Sequence, residues 1–149
     1  MSVESPARRS EVCESILRSL PHWFGIESAN QHYIEAVRDL EMLAVEQDGE
    51  PVGFLSIKRH TPRAAEIYVM GVLPDHHRQG IGSTLIRETE SRLRADGVDY
   101  LQVKTLGPSH PDENYARTRR FYERCGFVAL EEIHGLWETN PCLIMVERL

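Results

Sequence analysis

No run of about 18 apolar residues occurs in the chain, so no segment reads as a membrane-spanning helix. The N-terminus has no basic stretch leading into an apolar core, and a secretory leader is not expected. Cysteine is scarce: Cys13, Cys125 and Cys142 are odd in number, widely spaced and form no CxxC pair. That pattern fits reduced thiols in the cytoplasm better than a disulfide framework or a zinc site. Seven histidines are scattered, with His76-His77 the only adjacent pair, and no metal centre is expected from them. Basic residues are outnumbered 17 to 23, a net charge of -6, which argues against general affinity for nucleic acid or an anionic membrane. Repeats, low-complexity tracts and linkers are absent.

What is present suits a folded domain. The 149 residues can bury a core without staples, and 41% hydrophobic against 27% charged residues is an ordinary globular balance. Ala7 to Leu20 places Val12, Ile16, Leu17 and Leu20 on one stripe and reads as a helix ended by Pro21. Ser28 is a candidate cap for a second helix carrying Tyr33, Ile34, Val37 and Leu40. The period then turns extended. Met42 to Gln47 and Val52 to Lys58 form a hairpin across Asp48-Gly49, and Ala65 to Leu73 is a central strand. Gly80 to Ala95 is helical with Gly97 as its stop, Tyr100 to Leu106 is a strand, and Asn114 to Arg124 is a helix closed by Cys125-Gly126. Phe127 to Ile133 and Leu143 to Val146 are the last strands. One α+β domain over residues 1–149 with a mixed sheet is the expected architecture.

The informative stretch is Asp75-His76-His77-Arg78-Gln79-Gly80-Ile81-Gly82-Ser83, which follows a strand and opens a helix. The first N–H groups of a helix lack intrahelical partners, and the helix dipole adds partial positive charge there. Glycines at that point let phosphate oxygens approach the backbone closely, and Arg78 adds a cation at the rim. A plain strand-to-helix turn needing two small residues is the bland alternative. No Lys-Ser/Thr follows the second glycine, so this is not a P-loop, and the full GxGxxG fingerprint is missing.

The stretch His77-Arg78-Gln79-Gly80-Ile81-Gly82 resembles the signature of the GCN5-related N-acetyltransferases: Gln or Arg, two residues, Gly, one residue, then Gly or Ala. The departure is His77 in the first place. The strand Ala65-Glu66-Ile67-Tyr68-Val69-Met70-Gly71-Val72 and the run Phe121-Tyr122-Glu123-Arg124-Cys125-Gly126-Phe127 also have the family's form. Element order agrees from residue 28 onward, while the family's first strand is reduced to Val3 to Glu4. The resemblance implies a mostly antiparallel mixed sheet whose central parallel strands splay, with helices on both faces. It implies acetyl-CoA as cosubstrate, with no metal. Met70, Gly71 and Val72 would meet its pantetheine arm, and His77, Arg78, Gln79, Gly80, Ile81, Gly82 and Ser83 its pyrophosphate. Tyr115 stands where many relatives carry an Asn that contacts CoA, and Thr118 where they often carry Ala.

The same resemblance points to two catalytic candidates. An alkylammonium of pKa about 10 must lose a proton before it attacks a thioester. Glu66 lies eleven residues before His77, the spacing at which histone-type members place their catalytic glutamate. A strand Glu paired outward with a Lys or Arg, or a chain of ordered water as the base, are the alternatives. Tyr122 corresponds to the tyrosine that faces the CoA sulfur and would serve the departing thiolate; an aromatic filling the gap between helix and sheet, as Phe121 is expected to do, is its alternative. Lys104 reads either as a contact for an anionic group of the substrate or as a solvated strand lysine. Trp23 and Phe24 either line a pocket or cover the core, Cys125 reads as a small buried apolar residue, and Pro108 to Glu113 as a loop able to move.

The expected function is N-acetylation of a primary amine of a small-molecule acceptor, such as an amino acid or another polar metabolite. A protein lysine or N-terminal acetyltransferase is the alternative within enzymes, and an acyl-CoA-binding module without turnover is the alternative outside them. No nucleic-acid or membrane partner is expected, and a homodimer stays open.

Overall fold

A computed structural model describes residues 2–149. The chain divides into two compact units, one comprising the residues up to Lys58 together with Tyr68–Arg92, the other Arg59–Ile67 with Leu93–Leu149. The first helix, α1 (Pro6–Arg18), starts with proline at its first turn and the Ser5 hydroxyl accepting from the Arg8 N–H. It stops ahead of the expected Leu20, because the Ser19 N–H turns back onto the Ile16 and Leu17 carbonyls. Helix α2 (Glu27–Ala36) opens one residue before Ser28, and Ile26 at its cap makes no side-chain bond. What fixes that start is tertiary: both Glu27 carboxylate oxygens accept from Arg18 of α1, at 2.9 and 3.0 Å. A single 3-10 turn, Val37–Asp39, follows and puts Leu40 outside the helix.

The strands are β1 (Glu41–Gln47), β2 (Glu50–Thr61), β3 (Ala64–Val72), β4 (Tyr100–Leu106), β5 (Val128–Ile133) and β6 (Cys142–Arg148), in sheet order β1-β2-β3-β4-β6-β5. Asp48 and Gly49 both take positive φ, 54° and 81°, which sets the tight β1–β2 turn. β3 and β4 pair in parallel, from Ala64 opposite Tyr100 to Ile67 opposite Val103. β3 itself runs on to Val72 and β4 to Leu106. The reduced first strand is one antiparallel bridge, Ser2 to Leu43.

Within the first unit the two sheet faces can be told apart at Gly53 and Phe54, neighbours on β2 that point opposite ways. Phe54 joins a core with Val12, Ile16 and Leu17 of α1. Gly53 faces the helix α3 (Ile81–Ala95): a Cβ built there would lie 2.7 Å from Ile81 Cγ2. The missing side chain lets the first turn of α3 sit directly on β2.

In the second unit, helix α4 (Glu113–Arg124) is capped by the Asp112 carboxylate, which accepts from the Tyr115 N–H at 3.1 Å. α3 and α4 end alike. Val98 N–H reaches Leu93 O and Gly97 N–H reaches Arg94 O, while Phe127 N–H reaches Tyr122 O and Gly126 N–H reaches Glu123 O. These are Schellman caps, and Gly97 and Gly126 supply their left-handed residues at φ 80° and 106°.

Cys13 and Cys142 are buried, while Cys125, expected to be buried, is half-buried at the C-cap of α4. Burial pushes the Cys13 thiol up to about 12, with Glu14 adding to the effect. Since the thiolate is the reactive form, iodoacetamide at pH 8 should label one thiol, Cys125, in the native protein and all three in denaturant, read by mass spectrometry.

Candidate active site

The link from β3 to α3 is held at several points within the first unit. Leu73 N–H donates to Val52 O of β2 at 2.8 Å, and the turn Pro74–His76 closes with His76 N–H on Leu73 O. Arg78 and Gly80 then take left-handed φ, 66° and 79°. The first bond of α3 runs from the Thr84 N–H to Gly80 O at 3.0 Å. Ile81, Gly82 and Ser83 therefore carry the first-turn N–H groups, which lack carbonyls within the helix. A Cβ added to Gly80 would meet no atom within 4 Å, so the space beside Gly80 is open. Backbone donors, helix polarity and open space together fit a pyrophosphate.

His77 does not extend toward those donors. Its Nε2–H donates to Val72 O at 2.7 Å, and its ring stands edge-on to Trp23 at 5.7 Å. The Val72 carbonyl, expected on the pantetheine arm, thus already accepts one bond and keeps its second lone pair. Met70 and Val72 are half-buried. Gly71 is needed for packing, because a Cβ there would sit 3.0 Å from both Ile16 and Leu20. Trp23 and Phe24 pack half-buried against the α1 core, so their loop covers that core.

Glu66, on the part of β3 that belongs to the second unit, is only 5% exposed. It points inward, unlike an outward-facing strand glutamate, and one of its oxygens is doubly engaged. Oε1 accepts from His60 Nε2 at 2.6 Å and from Lys104 Nζ at 3.2 Å. Lys104, its side chain 29% exposed, is thus engaged by Glu66 rather than simply solvated. The sequence places Lys58 and His60 at the end of β2 but gives His60 no role; the strand, expected over Val52 to Lys58, runs to Thr61. The signal was the Pro62-Arg63 turn, which folds the residues just before it against those just after.

Tyr122 lies in the last turn of α4, 6% exposed, with its ring 5.5 Å from Phe121 and 5.6 Å from Phe127. The tyrosine, not the half-buried Phe121, takes the core position, because the Schellman cap folds Phe127 back onto it. Tyr115, in the first turn of the same helix, is half-buried. The loop leading to α4, expected to move, is pinned. Glu132 accepts from the Ser109 N–H at 3.0 Å and from its hydroxyl, and those two bonds hold the Glu132 carboxyl below the usual range. Gly107 makes room for it, since a Cβ there would collide with the Glu132 carboxylate. Among the described residues no cluster of three or more His, Cys, Asp or Glu could hold a metal ion. None of their helices is long and apolar enough to cross a membrane.

Comparison with known proteins agrees with this geometry. The acetyltransferase (GNAT) family model matches residues 10–127. A mycothiol acetyltransferase of Acidimicrobium ferrooxidans is 33% identical over 102 residues, covering 64% of this chain and 30% of that protein. The chain thus spans less than a third of that relative's length. Among solved structures, a GNAT-family acetyltransferase of Desulfovibrio desulfuricans superposes with a TM-score of 0.79 at 19% identity, covering 99% of each chain. An aminoglycoside 6'-N-acetyltransferase complexed with coenzyme A superposes with a TM-score of 0.74 at 15% identity, covering 99% of this chain and 96% of that one. At such identities the structural likeness is one of fold, whereas the family model takes in most of the sequence, including the β3–α3 signature and the end of α4: the chain belongs to the acetyltransferase (GNAT) family.

Proposed function

We propose that this chain is an acyl-CoA-dependent N-acetyltransferase that transfers acetyl from acetyl-CoA to a primary amine of a small-molecule acceptor. The observation that carries the reading is the turn from β3 into α3, where the first-turn N–H groups follow the unobstructed Gly80. Acetyl-CoA supplies the activated acyl thioester; the residues of this chain bind it, orient it and manage protons. The N–H groups of Ile81, Gly82 and Ser83 hold the pyrophosphate, with Arg78 beside them. Main-chain groups of β3 near Met70, Gly71 and Val72 receive the extended arm. Glu66 takes part in removing the amine proton, and Tyr122 serves the sulfur as it leaves. Retention of Glu66 and Tyr122 supports an enzyme over a binding module without turnover.

The small-molecule acceptor is supported by the names of the mycothiol and aminoglycoside acetyltransferases above, and three cysteines with no disulfide among the described residues support work in the cytoplasm. The test is thiol release from acetyl-CoA with amino acids, polyamines, aminoglycosides and Lys- or N-terminal peptides as separate panels. Release with a small amine supports the reading; release with peptides alone replaces it by protein acetylation, and no release with any panel defeats it.

Two expected outcomes follow from the assigned roles. Gly82→Val places a branched side chain in the first turn, so acetyl-CoA binding by calorimetry should weaken at least tenfold, and the rise in melting temperature on adding acetyl-CoA should shrink. Unchanged affinity would mean that the cradle lies elsewhere. Tyr122→Phe should keep the fold and cofactor binding but lower kcat by about 100-fold, the scale of losing a general acid. A wild-type rate in that variant would return Tyr122 to packing alone.

A further inference from the structure

Acetylation of an ammonium has a proton balance that constrains the site. The substrate R–NH3+ and an acetyl thioester give an amide, a thiol and one H+. The N–C bond forms, the C–S bond breaks with its electron pair leaving on sulfur, and sulfur takes a proton. One further proton goes to the medium in every turnover. The group that collects it must have a lone pair ready at neutral pH and a route to water.

Glu66 meets the second condition poorly. It is 5% exposed, and its Oε1 is already engaged by His60 and by the Lys104 ammonium. The His60 side chain is 32% exposed. An ionised carboxylate can only accept, so at 2.6 Å the His60 Nε2 carries the hydrogen. That bond selects the tautomer and leaves Nδ1 as a lone pair, with no bonding partner among the described residues. We propose that His60 Nδ1 takes the proton from the acceptor amine and passes it to water, while Glu66 acts as its positioning residue. The assignment rests on the acetyltransferase reading given above.

The neighbours are arranged for this role. The imidazolium formed when Nδ1 gains a proton faces the Glu66 carboxylate through Nε2–H, as a histidine does beside a buried acid in a catalytic triad. Lys104 of β4 holds that carboxylate from a second direction. The other charged groups nearby are occupied. On β2, Lys58 lies over the Tyr68 ring at 5.5 Å and Arg59 meets Asp96 at 2.7 Å. Arg63, in the turn, pairs with Asp99. From β6, the Cys142 thiol is pushed up by burial, so it stays neutral and does not compete for the proton.

The first measurement needs no acceptor. Long-range 15N spectra of the histidines should show neutral His60 as the Nε2–H tautomer; an Nδ1–H tautomer overturns the proposal. The second uses the amine giving the fastest thiol release in the screen above. His60→Ala should lower kcat by about 100-fold or more at low buffer concentration while leaving the KM for acetyl-CoA nearly unchanged. Added imidazole should restore the rate in proportion to its concentration, and have no such effect on wild type. The wild-type kcat/KM should rise with pH through an ionisation absent from His60→Ala. Glu66→Gln should lower the rate in wild type but add little in the His60→Ala background, because the two act as one unit. Full rate in His60→Ala overturns the assignment. So does a loss that imidazole cannot repair in His60→Ala or in a second variant, His60→Asn, each shown folded by an intact acetyl-CoA-induced melting shift. Silence of wild type with every amine would instead remove the acetyltransferase reading on which the proposal stands.

Discussion

Four parallel residue pairs, Ala64 to Ile67 against Tyr100 to Val103, join β3 to β4, and that short ladder is the constraint on which the site depends. Parallel strands need long crossovers, and here α3 supplies the crossover, so the helix start is committed to the end of β3. The same pairing places Glu66 opposite Gln102, two residues from Lys104, and brings the carboxylate within reach of the ammonium.

Burying Glu66 has an energetic cost that its partners offset. Ion pairs taken out of water gain little net stability, yet losing one partner leaves an uncompensated charge worth about 3–5 kcal/mol in typical cases. Such a group is poorly explained as a stabiliser of the sheet. It is better understood as a fixed negative charge, aimed by Lys104 on one side and delivered to His60 on the other. The pyrophosphate cradle follows the opposite logic, since it uses main-chain donors and the open space at Gly80.

Much of this was legible in the sequence. Asp48-Gly49, Gly97 and Gly126 mark places where the backbone must take positive φ, and all three end an element as expected. The run from Asp75 to Ser83 announced itself because strand, glycines and helix start occur in one order. What stayed hidden is decided by contacts distant in sequence. The start of α2 follows the Arg18–Glu27 ion pair rather than a local cap at Ser28. His60 lies in the exposed tail of β2, and nothing local there names Glu66 as its neighbour. The exchange of places between Phe121 and Tyr122 is set by the helix cap, which periodicity alone does not reveal.

That cap has a geometric consequence. Tyr122 is the residue whose carbonyl receives the Phe127 N–H, so the stop signal and the buried phenol belong to one hydrogen-bonded ring. The helix terminus therefore works as an indexing mark for the side chain. Each residue of an α-helix advances the azimuth by about 100°. Inserting or deleting one residue between Tyr122 and Gly126 would not merely lengthen or shorten α4. It would have to break the cap or rotate the phenol about the helix axis by more than a quarter turn, which ties the spacing of this segment to the direction in which the ring points.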